Sequence, residues 1–192
     1  MRIDLGGIGA LYPMPVVIVG AMDGDRENFA TIAHVGILNF GQPQYISIGL
    51  HKSHRSNDCI KAAKAFSVCL PSQEMVVETD HVGIVSGKGE DKSKVFGTFF
   101  SEARNAPMVK ECPVCMDCRL HEVLDYGTHE VFVGEVLHTY ADEEVLTDGK
   151  VDVAKLRPML FDMGSKQYWS LGPPIAKCWD VGRGYRPKEK RQ

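Results

Sequence analysis

The segment ISIGLHKSHRSN, residues 46–57, combines the features that decide the fold. Residues 44–50 alternate apolar and polar side chains, which predicts a β-strand with one buried face. A basic, hydroxyl-rich loop follows, and Ser56 is predicted to cap a short helix whose apolar stripe includes Ile60 and Ala63. Because the first N–H groups of a helix lack partners within it, we expect them to point into a pocket beside this loop.

The loop between this strand and helix carries groups that bind phosphate. Lys52 and Arg55 supply positive charge, and Ser53 and Ser56 supply hydroxyl donors. The alternative is an N-capped helix preceded by a solvated basic loop. This segment alone favours neither the phosphate pocket nor the solvated loop, so the loop is a candidate anion site.

Short strand-like segments recur along the rest of the chain. Nineteen glycines and ten prolines predict many turns, and the helical segments are too few to alternate with the strands. We therefore expect a mainly β protein, an antiparallel, Greek-key-like barrel with a few short helices. Strands are predicted at residues 16–21, 28–37, 44–50, 66–70, 119–124 and 130–140, and helices from residue 56 and over 73–81 and 153–156.

Length and charge narrow the class of protein. A chain of 192 residues predicts one domain over residues 1–192. Its net charge of −3 lacks the positive excess typical of nucleic-acid-binding proteins, so no nucleic-acid partner is expected. The longest apolar run, residues 15–22, is too short to cross a bilayer, so no membrane partner is expected. Asp4, Pro13 and Pro15 argue against a signal peptide, which favours a cytoplasmic protein with reduced thiols.

Three cysteines, Cys112, Cys115 and Cys118, precede His121 at three-residue intervals. Such spacing is found in metal and iron–sulfur loops, so a thiol metal-binding protein is one alternative function. Pro113 disfavours a helix here, and on a strand Cys112 and Cys118 would share one face while Cys115 would lie on the other. We expect buried, reduced thiols.

The order of several segments resembles the flavin reductase-like family and, within it, the flavoredoxin group. Each segment is short, but together they follow the family's order along nearly the whole chain. They are YPMPVVIVGA from Tyr12, NFATIAHVG from Asn28, ISIGLHKSHRSN from Ile46, SGKGEDKS from Ser86, APMVKECPV from Ala106, THEVFVGEV from Thr128, DGKVDVAKLRP from Asp148 and YWSLG from Tyr168.

This resemblance implies an FMN-binding split barrel and a homodimer, with the flavin ring against the NFATIA strand and its phosphate beside residues 52–57. His129 is expected near the nicotinamide position, as the catalytic residue, and Tyr168 and Trp169 over the ring. His34 and Arg55 replace aromatic residues common in the group, and Arg55 is expected to add positive charge near the phosphate. The cofactor-binding residues implied are Ala30, Thr31, Ile32, Ala33, His51, Lys52, Ser53, Ser56, Asn57, Ser86, Gly87, Lys92 and Trp169.

The function that follows is an FMN-dependent oxidoreductase of the NAD(P)H:flavin reductase type. The flavin would supply the redox chemistry while the protein binds and orients it. One alternative is an FMN electron carrier reduced by a redox protein, with no nicotinamide turnover. The sequence contains no legible nicotinamide motif that would separate these possibilities.

Overall fold

This computed structural model describes residues 1–87 and 89–186, within which the chain forms fourteen strands and three α-helices. The strands are β1 (Met14–Pro15), β2 (Val17–Asp23), β3 (Arg26–Ile32), β4 (Val35–Ile37), β5 (Tyr45–His51), β6 (Ala65–Leu70), β7 (Thr98–Phe99), β8 (Met108–Val109), β9 (Val114–Tyr126), β10 (His129–Ala141), β11 (Leu146–Thr147), β12 (Lys150–Val151), β13 (Met159–Asp162) and β14 (Gln167–Ser170). The helices are α1 (Arg55–Ala63), α2 (Val76–Ile84) and α3 (Val153–Leu156), with 3₁₀ turns at Gln73–Met75, Lys92–Lys94 and Glu143–Val145.

Seven strands form the main sheet, in the order β3-β2-β6-β9-β10-β5-β4. All of its pairings are antiparallel, and the sheet curls into a half-barrel. A smaller sheet in the order β1-β13-β14 supplies walls of the cavities described below. The predicted mainly β, antiparallel class is confirmed.

Two layers of core lie on opposite faces of this sheet, which is why β2 is apolar at successive positions. Val17 and Val19 belong to the cluster that packs around Phe66 and Phe132. Ile18, one residue out of phase, belongs to a second cluster under α2 and the 95–112 segment. A strand buried on both faces has no polar alternation, because successive side chains point to opposite sides.

One glycine is required where the longest strand pair packs on the core. A Cβ added at Gly134 would lie 2.4 Å from Phe66 Cζ, closer than side chains pack. The pairing between β9 and β10 shifts register beside it, between Val133 and Gly134. The glycine therefore lets the bulged strand approach the buried ring.

The predicted strand over residues 28–37 is in fact two strands. β3 pairs with β2 at one edge of the sheet, whereas β4 pairs with β5 at the other edge. Ala33 and His34 carry the chain between the two edges, and Gly49 N donates to His34 O at 2.7 Å. Periodicity alone misses this break because both pieces continue the same apolar pattern.

The helices also differ in detail from the predictions. The N-cap of α1 is His54, which makes no side-chain capping bond, so Ser56 lies inside the first turn. The predicted helix over 73–81 is a 3₁₀ turn followed by α2, which extends to Ile84. Among the described residues, no helix has the length and apolar character needed to span a bilayer.

Candidate functional site

Two cavities meet beside β3 and α2. The first, of about 310 Å³, is mostly apolar, and we call it the apolar cavity; the second, of about 200 Å³, is called the polar cavity. They share His54, Gly83 and Ile84 and therefore adjoin, and we call the two together the cleft. The apolar cavity is lined by Tyr12, Met14, Val16, Thr31, Ile32, Ala33, His34, Gly49, His51, His54, Asp80, Gly83, Ile84, His129, Phe161, Met163 and Tyr168. The polar cavity is lined by Asn28, Ala30, Ser53, His54, Arg55, Ser56, Val82, Gly83, Ile84, Val85, Ser86, Gly87 and Lys92.

The end of β3 forms one wall of the apolar cavity. Thr31, Ile32 and Ala33 present short or branched side chains there, as the resemblance implied. Thr31 Oγ1 donates to Thr79 O at 2.5 Å, which ties the strand to α2. A Cβ added at Gly83 would lie 3.2 Å from Thr31 Cβ, so a side chain at this position would crowd the junction of the two cavities.

The smaller sheet forms a second, largely apolar wall. Met14, Phe161 and Tyr168 come from its three strands. Tyr168 Oη donates to Asp80 Oδ1 at 2.9 Å, which connects this sheet to α2. Burial of the phenol, together with this carboxylate, raises the pKa of Tyr168 to about 12, so the hydroxyl remains a donor at neutral pH.

Three imidazoles meet at the more exposed part of the apolar cavity. His129 pairs with His51 across β10 and β5, with ring centroids 5.1 Å apart. His34 lies on the other side of His129, with centroids 5.5 Å apart. Burial and the neighbouring charges of His34 and His51 hold the pKa of His129 below its usual value, which favours a neutral ring.

A buried ammonium group distinguishes the polar cavity. Lys92 is only 6% exposed, and its Nζ donates to Phe29 O at 2.9 Å and to Val82 O at 2.8 Å. Desolvation lowers its pKa, and it makes no ion pair among residues 1–87 and 89–186. Because an ammonium has three N–H donors, two carbonyls leave one donor available to the cavity.

The start of α1 forms the opposite side of the polar cavity. Ser53, Arg55 and Ser56 line it, next to the first turn of α1, where a helix has N–H groups without partners inside the helix. Asn28 Nδ2 donates to Ser56 Oγ at 2.9 Å, so the Ser56 hydroxyl hydrogen is directed elsewhere. Gly87 lines the same cavity from the segment after α2. A Cβ added there would lie 2.4 Å from Asn28 Oδ1, so a side chain at this position would displace Asn28.

Arg55, which was expected to add positive charge near the phosphate, lines the polar cavity but is paired with carboxylates. Its Nη2 and Nε donate to the two oxygens of Asp23, at 2.6 and 2.9 Å, and its Nη1 lies 3.3 Å from Asp58 Oδ2. The hydrogen bond from Arg55 holds the pKa of Asp23 below its usual value. The guanidinium is therefore neutralised by carboxylates, and sequence spacing could not reveal a partner that lies on β2.

Eleven of the predicted site residues lie on the cleft. Thr31, Ile32, Ala33, His51 and His129 line the apolar cavity, and Ala30, Ser53, Ser56, Ser86, Gly87 and Lys92 line the polar one. The structure does not bring Lys52, Asn57 or Trp169 to either cavity.

Each of these three has another position. Lys52 Nζ bonds Asp125 Oδ2 at 2.7 Å on the β9–β10 hairpin. Asn57 Nδ2 donates to the carbonyls of His51 and His54, at 2.9 and 3.0 Å, and so holds the loop. Trp169 is exposed on β14, whereas the neighbouring Tyr168 does line the apolar cavity. A basic residue in a loop gives no sign of which way its side chain points.

Sequence reasoning missed several residues that line the cleft, among them His54, Asp80 and Gly83. Asp80 and Gly83 belong to α2, for which only a short helix was expected. Asp80 and Gly83 are three residues apart and therefore lie on one face of the helix, which was the only sequence signal that they share a site. It is too common in helices to have pointed to a site.

The three cysteines of the 112–118 segment do not all meet. Cys115 and Cys118 lie on β9 and belong to two different core clusters, as expected for opposite faces of a strand. Cys112 was expected to share a face with Cys118, but it precedes β9 and lies in the cluster of Cys115. All three thiols of the 112–118 segment are buried and free, as predicted. Within residues 1–87 and 89–186, no group of three or more His, Cys, Asp or Glu side chains is placed to hold a metal ion. The thiol metal-binding alternative therefore has no support.

Comparison with known proteins places this fold and cleft in a class. The model of the flavin reductase like domain matches residues 9–170. The split-barrel fold and this match define a flavin-binding redox protein, an oxidoreductase in general class. The chain belongs to the flavin reductase-like family.

Solved structures refine the assignment within that family. The crystal structure of flavoredoxin from Methanosarcina acetivorans is 35% identical with a TM-score of 0.92, over 95% of this chain and 98% of that one. Flavoredoxin of Desulfovibrio vulgaris (Miyazaki F) is 32% identical with a TM-score of 0.87, over 95% and 100%. An FMN-binding protein from Thermus thermophilus, 20% identical with a TM-score of 0.78 over 92% and 97%, shares the fold alone. The predicted resemblance to the flavoredoxin group is confirmed.

Proposed function

We propose that the cofactor is FMN, with its ring in the apolar cavity and its phosphate in the polar cavity. The observation that carries the proposal is Lys92, a buried ammonium without a counter-ion among the described residues, which lines the polar cavity. Burying a charge is costly unless it is paired. A phosphate dianion supplies that pair and accepts the remaining N–H of Lys92.

The other groups of the polar cavity suit the same anion. The first turn of α1 offers backbone N–H donors and the positive end of the helix dipole. Ser56 adds a hydroxyl group from the same side, where Ser53 also lies with its Oγ 2.8 Å from His51 Nδ1. These residues would bind the phosphate together with Lys92, in place of the exposed Lys52, which is already paired.

The apolar cavity suits a flat heteroaromatic ring. Its walls are largely apolar, and the short or branched side chains of Thr31, Ile32 and Ala33 line it along β3. When bound, the flavin supplies the electron-transfer chemistry, and the protein binds, orients and shields it. A neutral His129, with Nδ1 2.9 Å from Thr128 Oγ1, is placed to hold a proton beside the ring.

The reaction we propose is that of an FMN-dependent oxidoreductase of the NAD(P)H:flavin reductase type. The family assignment supports an oxidoreductase, and the open apolar cavity leaves room for a donor beside His129. The alternative is an FMN electron carrier that a redox protein reduces. The similarity of this chain to two flavoredoxins supports this alternative.

Absorbance tests the cofactor, and anaerobic mixing separates the two reactions. The purified protein should show flavin bands, or take up one FMN per chain from added FMN. A colourless protein that takes up no FMN would overturn the proposal. Anaerobic mixing with NADH and with NADPH should bleach the bound flavin. Absence of bleaching with both would leave the electron carrier as the function.

We also propose that the protein is a cytoplasmic homodimer. Its chain ends carry large apolar side chains that solvent reaches in the single chain, including Leu5, Leu11, Ile175 and Trp179. A soluble protein rarely leaves many such groups uncovered. Light scattering after size exclusion should give twice the mass of 21.2 kDa, and a monomer mass at micromolar protein would contradict the dimer.

A further inference from the structure

Three imidazoles form a cluster at the apolar cavity: His34, His51 and His129. The core packing does not explain why they lie together. They come from three separate stretches: the crossing between β3 and β4, the end of β5 and the start of β10. His34 and His51 are exposed and His129 is partly buried, so the cluster meets solvent at the cavity. The imidazoles can therefore contact both solvent and a molecule in the cavity.

The hydrogen bonds of the cluster leave donors available. Ser53 N donates to His51 Nδ1 at 3.2 Å, so in the neutral ring the proton resides on Nε2. His129 Nδ1 lies 2.9 Å from Thr128 Oγ1. Within residues 1–87 and 89–186, His51 Nε2, His129 Nε2 and both nitrogens of His34 have no hydrogen-bond partner.

The rings of the cluster meet edge to face. The planes of His51 and His129 are inclined at 87°, and those of His34 and His129 at 61°. Among residues 1–87 and 89–186, no group of three or more His, Cys, Asp or Glu side chains is placed to hold a metal ion, so no metal is assigned to the cluster.

Few charged side chains surround the cluster. Among the described residues that line the apolar cavity there is no Lys or Arg, and the one carboxylate, Asp80, is bonded to Tyr168. From neighbouring elements, His54, which precedes α1, faces the cluster, and Lys92 lies near His54. The ion pair between Lys52 and Asp125 lies outside the cavity. The imidazoles are thus the source from which the cavity can gain positive charge at its exposed part.

The lowered pKa values of His129 and His54 favour neutral imidazoles when no anion is bound. Burial and the charges of His34 and His51 lower the pKa of His129, because one protonated ring disfavours a second. Burial, Lys92 and the other imidazoles lower the pKa of His54. An anion would offset this repulsion, so its binding should bring a proton with it.

We propose that the cluster of His34, His51 and His129 recognises the carboxylate or another oxyanion of a small, flat molecule that exchanges electrons at this site. The inference rests on the proposed function, since that molecule would meet the flavin in the same cavity. Phe161, Met163 and Tyr168, which line the same cavity, are apolar or aromatic and suit an unsaturated or aromatic body. The site thereby selects an anionic aromatic over its neutral counterpart.

Benzoate and benzamide, which share shape but not charge, provide the test. Binding to the purified protein, with and without FMN, is followed by NMR of the imidazole resonances and by flavin absorbance. The affinity for benzoate should rise about ten-fold from pH 8 to pH 7, as for uptake of one proton, while that for benzamide stays constant. His34→Gln should lower benzoate affinity and flatten its pH dependence, whereas His121→Gln, an exposed histidine outside the cavity, should leave both unchanged.

Equal affinities for benzoate and benzamide, or benzoate binding that is independent of pH, would overturn the inference. An equal loss in the His34 and His121 variants would do so too. An FMN titration of the same samples separates this from the proposed function. If FMN fails to bind while benzoate shifts the imidazoles as expected, the proposed function fails and the anion site stands. If FMN binds and benzoate does not, the anion site alone fails.

Discussion

The polar cavity and the thiol cluster both bury reactive groups, yet they differ in what surrounds those groups. We define the thiol cluster as Cys69, Cys112 and Cys115, which lie together in one core layer. Cys115 Sγ donates to Val109 O at 3.4 Å, and Val109 N donates to Cys69 Sγ at 3.5 Å. Burial raises the pKa of Cys112, so this thiol stays protonated and neutral. The cluster's groups have partners within the protein, whereas Lys92 makes no ion pair among the described residues and has one N–H donor left for the polar cavity.

This difference separates a structural cluster from a binding site. A group that the protein itself satisfies needs no ligand, while a buried charge that it leaves unpaired is stabilised only when an ion of opposite sign arrives. The density of cysteines in the sequence therefore did not mark the site. The unpaired charge beside a cavity marks it.

The largest effect is expected from Lys92→Met. Loss of a charge-assisted hydrogen bond should weaken FMN binding by about 1.5–3 kcal/mol, that is, by roughly ten- to more than hundred-fold. The stability of the FMN-free protein should change much less, since a desolvated charge is removed along with its two carbonyl bonds. Fluorescence titration with FMN and denaturant unfolding measure the two effects.

Lys52→Met is the matched control, because Lys52 is exposed and paired with Asp125 outside the cleft. It should leave FMN affinity within about two-fold, since exposed ion pairs contribute little. A large loss in Lys52→Met with none in Lys92→Met would reverse the assignment of the phosphate site.

Cys115→Ala probes the other region and should affect only stability. The substitution removes a buried side chain from the core layer and should lower the free energy of unfolding by about 1–3 kcal/mol. FMN affinity, measured on the folded variant, should equal that of the wild type. A selective loss of FMN affinity without loss of stability would break the distinction between the two regions.

The smallest effect is a pH dependence of stability due to His54 and His129. Their pKa values are lowered in the folded protein, so below about pH 6.5 the unfolded chain binds more protons than the folded one. The free energy of unfolding should therefore fall as pH drops from about 7 through this range. His54→Gln should reduce the slope, as measured by denaturant unfolding at several pH values. An unchanged slope would show that His54 titrates normally.

Much of the fold could be predicted from the sequence, because strand periodicity and turn residues act locally. The helix at Val153–Leu156 and the β9–β10 hairpin lie where they were expected. The crossing at Ala33–His34 was missed, since it depends on which strands pair and not on local pattern.

The site was predicted where backbone position decides it and missed where side-chain direction does. Thr31 and Ser56 lie on the cleft because their strand and helix start do. Lys52 turns away to Asp125, and Arg55 is neutralised by Asp23, through contacts between residues far apart in the chain. Those pairings exist only once the fold has formed.

The most direct test of the account compares FMN with riboflavin, which has the same ring but no phosphate. If Lys92 and the start of α1 hold the phosphate, the wild-type protein should bind FMN at least ten-fold more tightly than riboflavin. In Lys92→Met the two affinities should approach each other. Equal affinity of the wild-type protein for FMN and riboflavin would contradict the central claim that the polar cavity is a phosphate site.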